Sequence, residues 1–163
     1  QTVIVGFTNL SFTILAMAFI DRIGRKFLLL LGSVGMTIFL GIFSYIFLYD
    51  VGGFMPLVFM IAFVACFAFS QGAVVWVLFS EMFPTNIRSR GVAIGSFSHW
   101  VFYAILLFFF PVIQKSFPDN RGIGYVFAVF AVFTFISFFF FKKYIVETKG
   151  KSLEELEKET LNS

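Results

Sequence analysis

Few side chains in this sequence could do chemistry, and most of them recur at helical spacings inside apolar runs. Ser96, His99 and Tyr103 are three and four residues apart. Thr2, Asn9 and Thr13 are seven and four apart with Gly6 between them, and Gln71, Gly72 and Trp76 lie together in a third run. On a helix, residues at spacings of three, four and seven share a face. Such groups hydrogen-bond water and ligands in a cavity, or one another across helix contacts; spacing alone leaves both open. Acid–base and metal chemistry have little to work with. His99 is the single histidine and Cys66 the single cysteine, no nucleophile sits beside a base, and a metal site needs more ligands than that. One cysteine also excludes a disulfide framework.

The charged residues form a second constellation. In SEMFPTNIRSRG, residues 80–91, Glu81 closes one apolar run and Arg88 and Arg90 open the next. In DRIGRK, residues 21–26, Asp21 closes a run and Arg25 and Lys26 open the next. Helices favour cations at their C-termini and anions at their N-termini, so both placements are reversed. Mutual pairing accounts for them: an acid at one helix end meets a base at the next helix start, or one on a neighbouring bundle. A single surface pair contributes only about 0–1 kcal/mol. A network of several biases two conformations without freezing them, which suits a latch.

What positions both constellations is a set of membrane spans. Of 163 residues, 60% are hydrophobic, 28 are Phe and only 13% are charged, against about 25% in a soluble domain. No Asp, Glu, Lys or Arg falls in residues 1–20, 27–49, 51–80, 91–114 or 122–141. About 20 helical residues cross a hydrocarbon core of roughly 30 Å, so each window is long enough. Gly52, Gly53 and Pro56 place the start of the third helix near Leu57, and Pro84 separates the third span from the fourth. The expected fold is an all-α membrane protein with five transmembrane helices, at about 1–20, 27–49, 57–80, 90–113 and 122–142. Residues 1–144 form the membrane domain and 145–163 a tail. There, Ser152 and Glu155 make a capping box for a short amphipathic helix from Leu153. Strict alternation over short segments, the mark of a β-barrel, does not occur. Gly32, Gly35 and Gly41 suit close packing of the second span. Spans 1, 3 and 4 carry the polar faces, and spans 2 and 5 are expected outside them. Position 1 is Gln and no basic leader precedes the first run, so the sequence is expected to begin inside a longer chain.

The loops at 21–26 and 80–91 and the tail from 142 share one side of the membrane and hold ten of the twelve Lys and Arg; Lys115 and Arg121 lie on the other. The positive-inside rule places the first group in the cytoplasm. The net charge of +3 therefore calls for no nucleic acid.

Four segments, in order, resemble those of the major facilitator superfamily sugar porters. DRIGRK is similar to the family's D/E-R-x-G-R-R/K loop after helix 8. SQGAVVW is similar to the glycine-rich stretch ending in Trp in helix 10, SEMFPTNIRSRG to the segment that follows it, and VETKGKSLEE to the P-E-T-K-G signature after helix 12. The resemblance covers nearly the whole chain. It implies helices 8–12, an incomplete C-terminal six-helix bundle of a major facilitator fold, with helix 7 and the N-terminal bundle as missing partners. It implies no enzyme and no cofactor. The implied function is alternating-access transport of a monosaccharide or related polyol across the inner or plasma membrane, by a facilitator or proton symporter whose further partner is a proton. Residue by residue, it assigns sugar contact to Trp76, Asn9, His99, Tyr103, Trp100 and Gln71. Asp21, Arg22, Arg25, Glu81, Arg88, Glu147 and Lys149 become a cytoplasmic gate network. Two departures stand out: Val146 replaces the signature's Pro, and the prolines of helix 10 are missing, leaving Gly72. The alternative reading is a non-transporting half-bundle that serves as an interaction module in the lipid bilayer.

Overall fold

The computed structural model describes residues 2–83, 85–117, 121–145 and 147–150. The tail helix expected from Leu153, its capping residues Ser152 and Glu155, and Pro84 and Val146 lie outside those residues. Every described element is helical: α1 (Thr2–Ile23), α2 (Arg25–Leu48), α3 (Met55–Phe67), a π-helical turn (Ala68–Gly72), α4 (Ala73–Glu81), α5 (Arg88–Ser116) and α6 (Arg121–Tyr144). The run Met55–Glu81 acts as one span, so five helices are long and apolar enough to cross a bilayer.

Three features differ from the sequence-based expectation. The first loop shrinks to Gly24 alone, because both neighbouring helices continue through their charged ends. Gly24 has φ +100°, a region open to glycine but costly for other residues. A Cβ there would also lie 2.6 Å from a Glu147 carboxylate oxygen. The third span starts at Met55 rather than near Leu57, with Pro56 in its first turn, where a missing N–H costs no helical hydrogen bond. Its middle is neither straight α-helix nor a proline bend but the π turn, a form that concentrates at functional sites.

The small residues of α2 explain how that turn is held. The Gly32 backbone packs directly against the Ser70 side chain, leaving no room for a Cβ, and a Cβ on Gly35 would lie 3.0 Å from the Cys66 sulfur. Ser70 Oγ donates back to the Cys66 carbonyl at 2.6 Å. Gly41, the third glycine of the series, has no packing neighbour within 4 Å and does not serve close approach.

The most extensive helix pairing is α2 with α6. Phe127 of α6 stacks on Phe43 and Phe47 of α2 at 5.0 and 5.7 Å. Toward the charged end, Ile20, Leu28, Leu29, Val74, Leu78 and Ile145 form the buried apolar cluster, tying α1, α2, α4 and the end of α6 together under the loops. By contrast α5 contributes no buried residue. It meets Phe79 of α4 at Gly95 and Phe83, just beyond α4, at Gly91, and packs on α6 where Gly122 sits against the Ile113 and Gln114 carbonyls; much of its remaining apolar surface is exposed.

A methyl group at position 32 must displace Ser70, whereas one at position 41 meets open space. Gly32→Ala should therefore destabilise by about 1–3 kcal/mol, the usual cost of overpacking. Gly41→Ala should be neutral or stabilising by up to about 1 kcal/mol through helix propensity. Thermal unfolding of the two variants in detergent, read side by side, checks this.

Candidate functional site

Two sites emerge, one at the charged end and one in the middle of the helices. At the charged end Arg25 is the hub. Its Nη2 and Nε donate to the two Glu81 carboxylate oxygens at 2.9 and 3.2 Å, the bidentate geometry that suits guanidinium. Its Nη1 meets Asp21 Oδ1 at 2.9 Å. The Arg25 side chain is 11% exposed and that of Glu81 23%, so this pair is far drier than an ordinary surface bridge. The acids that end α1 and α4 thus converge on the base that begins α2.

The segment after α6 completes the arrangement. Glu147 accepts from the backbone N–H of Arg25 at 2.9 Å and of Lys26 at 3.1 Å. Those are two of the donors that a helix start leaves without intrahelical partners, so a carboxylate caps α2 from far along the chain. Lys149 Nζ donates to the Arg22 carbonyl, putting a cation at the C-terminal end of α1. The reversed charges of DRIGRK are thereby reconciled with the helix dipoles: α2 receives its anion, and α1 its cation, from residues 147–149. Thr148, between them, is 6% exposed and donates Oγ1–H to Glu81 Oε2 at 2.7 Å.

The seven charges grouped from sequence therefore divide. Asp21, Arg25, Glu81, Glu147 and Lys149 form one connected cluster, and Arg22 joins through its carbonyl oxygen. Arg88 stands apart: its Nε donates to the Phe83 carbonyl at 3.2 Å, and its buried Nη2 has no hydrogen-bond partner among the described residues. Thr148 is a member that the search for charges passed over. Its sequence signal is its place as the Thr of VETKG, between two charged residues.

The second site is a cavity of about 290 Å³. Asn9 and Thr13 of α1 form one side; Phe67, Ala68, Gln71 and Gly72 form the wall at the π turn; Val75, Trp76 and His99 complete it from α4 and α5. The π turn fits an extra residue into the coil where three of its residues, Ala68, Gln71 and Gly72, face the hollow. Thr13 Oγ1 lies 3.4 Å from Asn9 Oδ1, to which it donates. Trp76 is held edge-to-face by Phe79 at 6.0 Å and by His99 at 5.5 Å, yet stays 42% exposed. A shallower hollow continues along α1 past Thr2, Gly6 and Asn9. Neither α2 nor α6 lines either hollow.

Of the residues singled out from sequence, the structure brings together Asn9, Thr13, Gln71, Gly72, Trp76 and His99. Trp100 and Tyr103 do not line the cavity; they meet edge-to-face at 5.9 Å, with Trp100 also edge-to-face with His99 at 5.6 Å. The lining supplies an amide pair, one hydroxyl, an imidazole and an indole face, with no Asp, Glu, Lys or Arg. That set can hold a neutral, hydrogen-bonding ligand with an apolar face. Among the described residues no group of three or more His, Cys, Asp or Glu is placed to bind a metal.

A family model described as "Sugar (and other) transporter" matches residues 1–159. The chain belongs to the sugar transporter family. Among members of this sugar transporter family it is 39% identical to the glucose transport protein of Synechocystis, over 95% of this chain and 35% of that protein. It is 38% identical to the D-xylose-proton symporter of Escherichia coli K12, over 96% and 32%. Its fold matches the inward-open conformation of the xylose transporter XylE from E. coli with a TM-score of 0.87 at 37% identity, covering 97% of this chain and 35% of that one. The five helices thus have the major facilitator architecture, in a multi-pass membrane protein of a transporter rather than an enzyme family. The chain spans about a third of the length of the relatives it matches.

The Arg25–Glu81 pair should show direct coupling. A double-mutant cycle with Arg25→Ala and Glu81→Ala, scored by unfolding in detergent, should give an interaction energy of about 1–3 kcal/mol. Arg88→Ala paired with Glu81→Ala should give near zero.

Proposed function

We propose that this chain forms one wall of a pathway for a monosaccharide or related polyol, working by alternating access in a full-length facilitator or proton symporter of the inner or plasma membrane. The observation that carries the proposal is the placement of Trp76 beside Asn9, Gln71 and His99 around one uncharged cavity. Sugar hydroxyls need several neutral donors and acceptors, and the apolar C–H face of a pyranose suits an indole. The similarity to a D-xylose-proton symporter of E. coli supports both the sugar and a coupled proton. Trp100 and Tyr103 serve as a second aromatic surface of the pathway beside the cavity.

In this reading residues 1–144 are the membrane part and residues 145–163 a cytoplasmic tail. The positive-inside bias puts the Arg25 cluster and the C-terminus in the cytoplasm. The cluster is the latch: it ties α1, α2, α4 and the tail at one end of the pathway, and its breaking frees that end to open. Arg88, with a buried nitrogen left over, contributes to the same rim from the opposite side of the α4–α5 connection.

Uptake by the full-length protein tests the site. Covering about 60 Å² of the Trp76 indole at roughly 25 cal/mol per Å² is worth about 1.5 kcal/mol, about tenfold in affinity. Trp76→Ala should weaken apparent sugar affinity by that order, and an unchanged affinity and rate would remove Trp76 from the pathway. Asn86→Cys should react with an impermeant thiol reagent only from the cytoplasmic face; labelling from outside would reverse the orientation. Arg25→Ala should alter the balance of inward- and outward-facing states, read as the accessibility of a cavity cysteine from each side.

A further inference from the structure

Three contacts between the third span and α5 fall in one antiparallel register. Phe83, just beyond α4, lies against Gly91; Phe79 lies against Gly95; Trp76 lies against His99. Along one strand of this ladder the partners are four and three residues apart, and along α5 four and four, so each set shares a face. The two rungs nearer the loop are aromatic rings seated where a side chain is missing. A Cβ on Gly91 would lie 2.5 Å from the Phe83 ring, and one on Gly95 3.3 Å from the Phe79 ring. Glycines four apart let a helix approach its neighbour closely. Arg88 Nε holds the Phe83 carbonyl at 3.2 Å and so fixes the rung at the loop. The third rung is part of the cavity, since Trp76 and His99 both line it.

Phe79 joins the packing to the site. It does not line the cavity, yet its ring meets both Gly95 and Trp76. The contact with Trp76 is edge-to-face, 6.0 Å between centroids with the planes at 87°. His99 makes a second such contact at 5.5 Å and 73°. Aromatic pairs of this kind are directional, so these two neighbours fix which way the exposed face of the indole looks. A wider side chain at position 95 has two outcomes. Either Phe79 turns aside and Trp76 loses its brace, or the helices part and His99 moves away from Trp76 on the next rung. Both leave the indole loosely held.

We propose that Gly95 and Phe79 are positioning residues for sugar binding: with Phe79 seated on the bare Gly95 backbone, the Trp76 indole is held where it can stack on a sugar ring. The proposal rests on the sugar-pathway reading above. Neither residue touches the ligand. Their effect passes through Trp76 and must vanish when the indole is gone. A role in folding alone has no such dependence: it lowers the amount of active protein and leaves the affinity of the folded remainder unchanged.

The test uses the full-length protein in detergent. Equilibrium binding across a monosaccharide panel is measured for wild type, Gly95→Ala, Phe79→Leu, Trp76→Ala, and Trp76→Ala combined with each of the other two. Both positioning variants are mild: Phe79→Leu keeps an apolar filler, and Gly95→Ala asks the neighbouring ring to yield by a few tenths of an ångström. Gly41→Ala, whose Cβ meets open space, controls for helix propensity. Gly95→Ala and Phe79→Leu should each weaken affinity by about two- to tenfold, the scale of an aromatic pair, and Gly41→Ala should not. In the Trp76→Ala background neither should weaken binding further. The near-ultraviolet circular dichroism of Trp76, obtained in each background by subtracting the Trp76→Phe counterpart, should diminish in both variants without sugar. Wild-type affinity in Gly95→Ala and Phe79→Leu while Trp76→Ala weakens binding overturns the proposal and leaves the sugar reading standing. So do losses that add in full to that of Trp76→Ala, or an unchanged Trp76 signal. Failure of every sugar to bind wild type, or Trp76→Ala with unchanged affinity, overturns the sugar reading and the proposal with it.

Discussion

The arrangement of this chain depends on one electrostatic constraint: two helices meet at Gly24 with the wrong charges at their ends. Arg25 and Lys26 stand where a helix favours an anion, and Asp21 stands near an end that favours a cation. Residues 147–149 resolve this by bringing a carboxylate to the two N–H groups that open α2 and an ammonium to the Arg22 carbonyl at the end of α1. The Arg25 side chain is thereby free to face inward, where Glu81 and Asp21 take it. The approach is only open because residue 24 has no Cβ. The end of α6, both helices at the first loop and the end of α4 are consequently one mechanical unit, with the apolar cluster around Leu28 and Val74 beneath it.

Such a unit is suited to switching. Each link is a polar contact at a helix end, above an apolar cluster that includes Ile145, and several share the carboxylates of Glu81 and Glu147. A displacement of the tail takes away the α2 cap, the α1 contact and the Thr148 hydroxyl together. Shared partners of this kind make links fail as a group rather than singly, which suits the latch proposed for the cluster better than a set of independent surface bridges would.

The cavity depends on a different constraint, the fit of small residues between α2 and the third span. Gly32 lets the Ser70 side chain seat against the α2 backbone, and the π turn begins two residues earlier. The turn carries Ala68, Gln71 and Gly72 to the hollow, and α4 resumes with Trp76 facing the same space. Close packing on one side of the span thus shapes the wall on its other side. The aromatic stack of Phe43, Phe47 and Phe127 holds α2 from behind, so the outer helices support the wall without contributing a side chain to it.

The sequence by itself determined the class and the inventory. Uncharged windows of about 20 residues fix helices that span, because a charge in hydrocarbon is expensive and every backbone group there must be bonded within the helix. Helical spacing put Asn9 with Thr13 on one face, and the charge reversals at residues 21–26 and 80–91 showed that pairing was required. Neither rule names partners. Spacing relates residues within one helix, so Tyr103 looked equivalent to His99 although His99 lines the cavity and Tyr103 does not, and Gly41 looked equivalent to Gly32. The tertiary structure alone decided that Glu147 caps α2, that Thr148 joins Glu81, that Arg88 stands outside the cluster, and that the third span carries a π turn. The physical reason is common to all four. Each depends on which groups packing brings together, often from distant parts of the chain, and local propensity carries no record of which backbone donor or buried carboxylate will be left waiting for a partner.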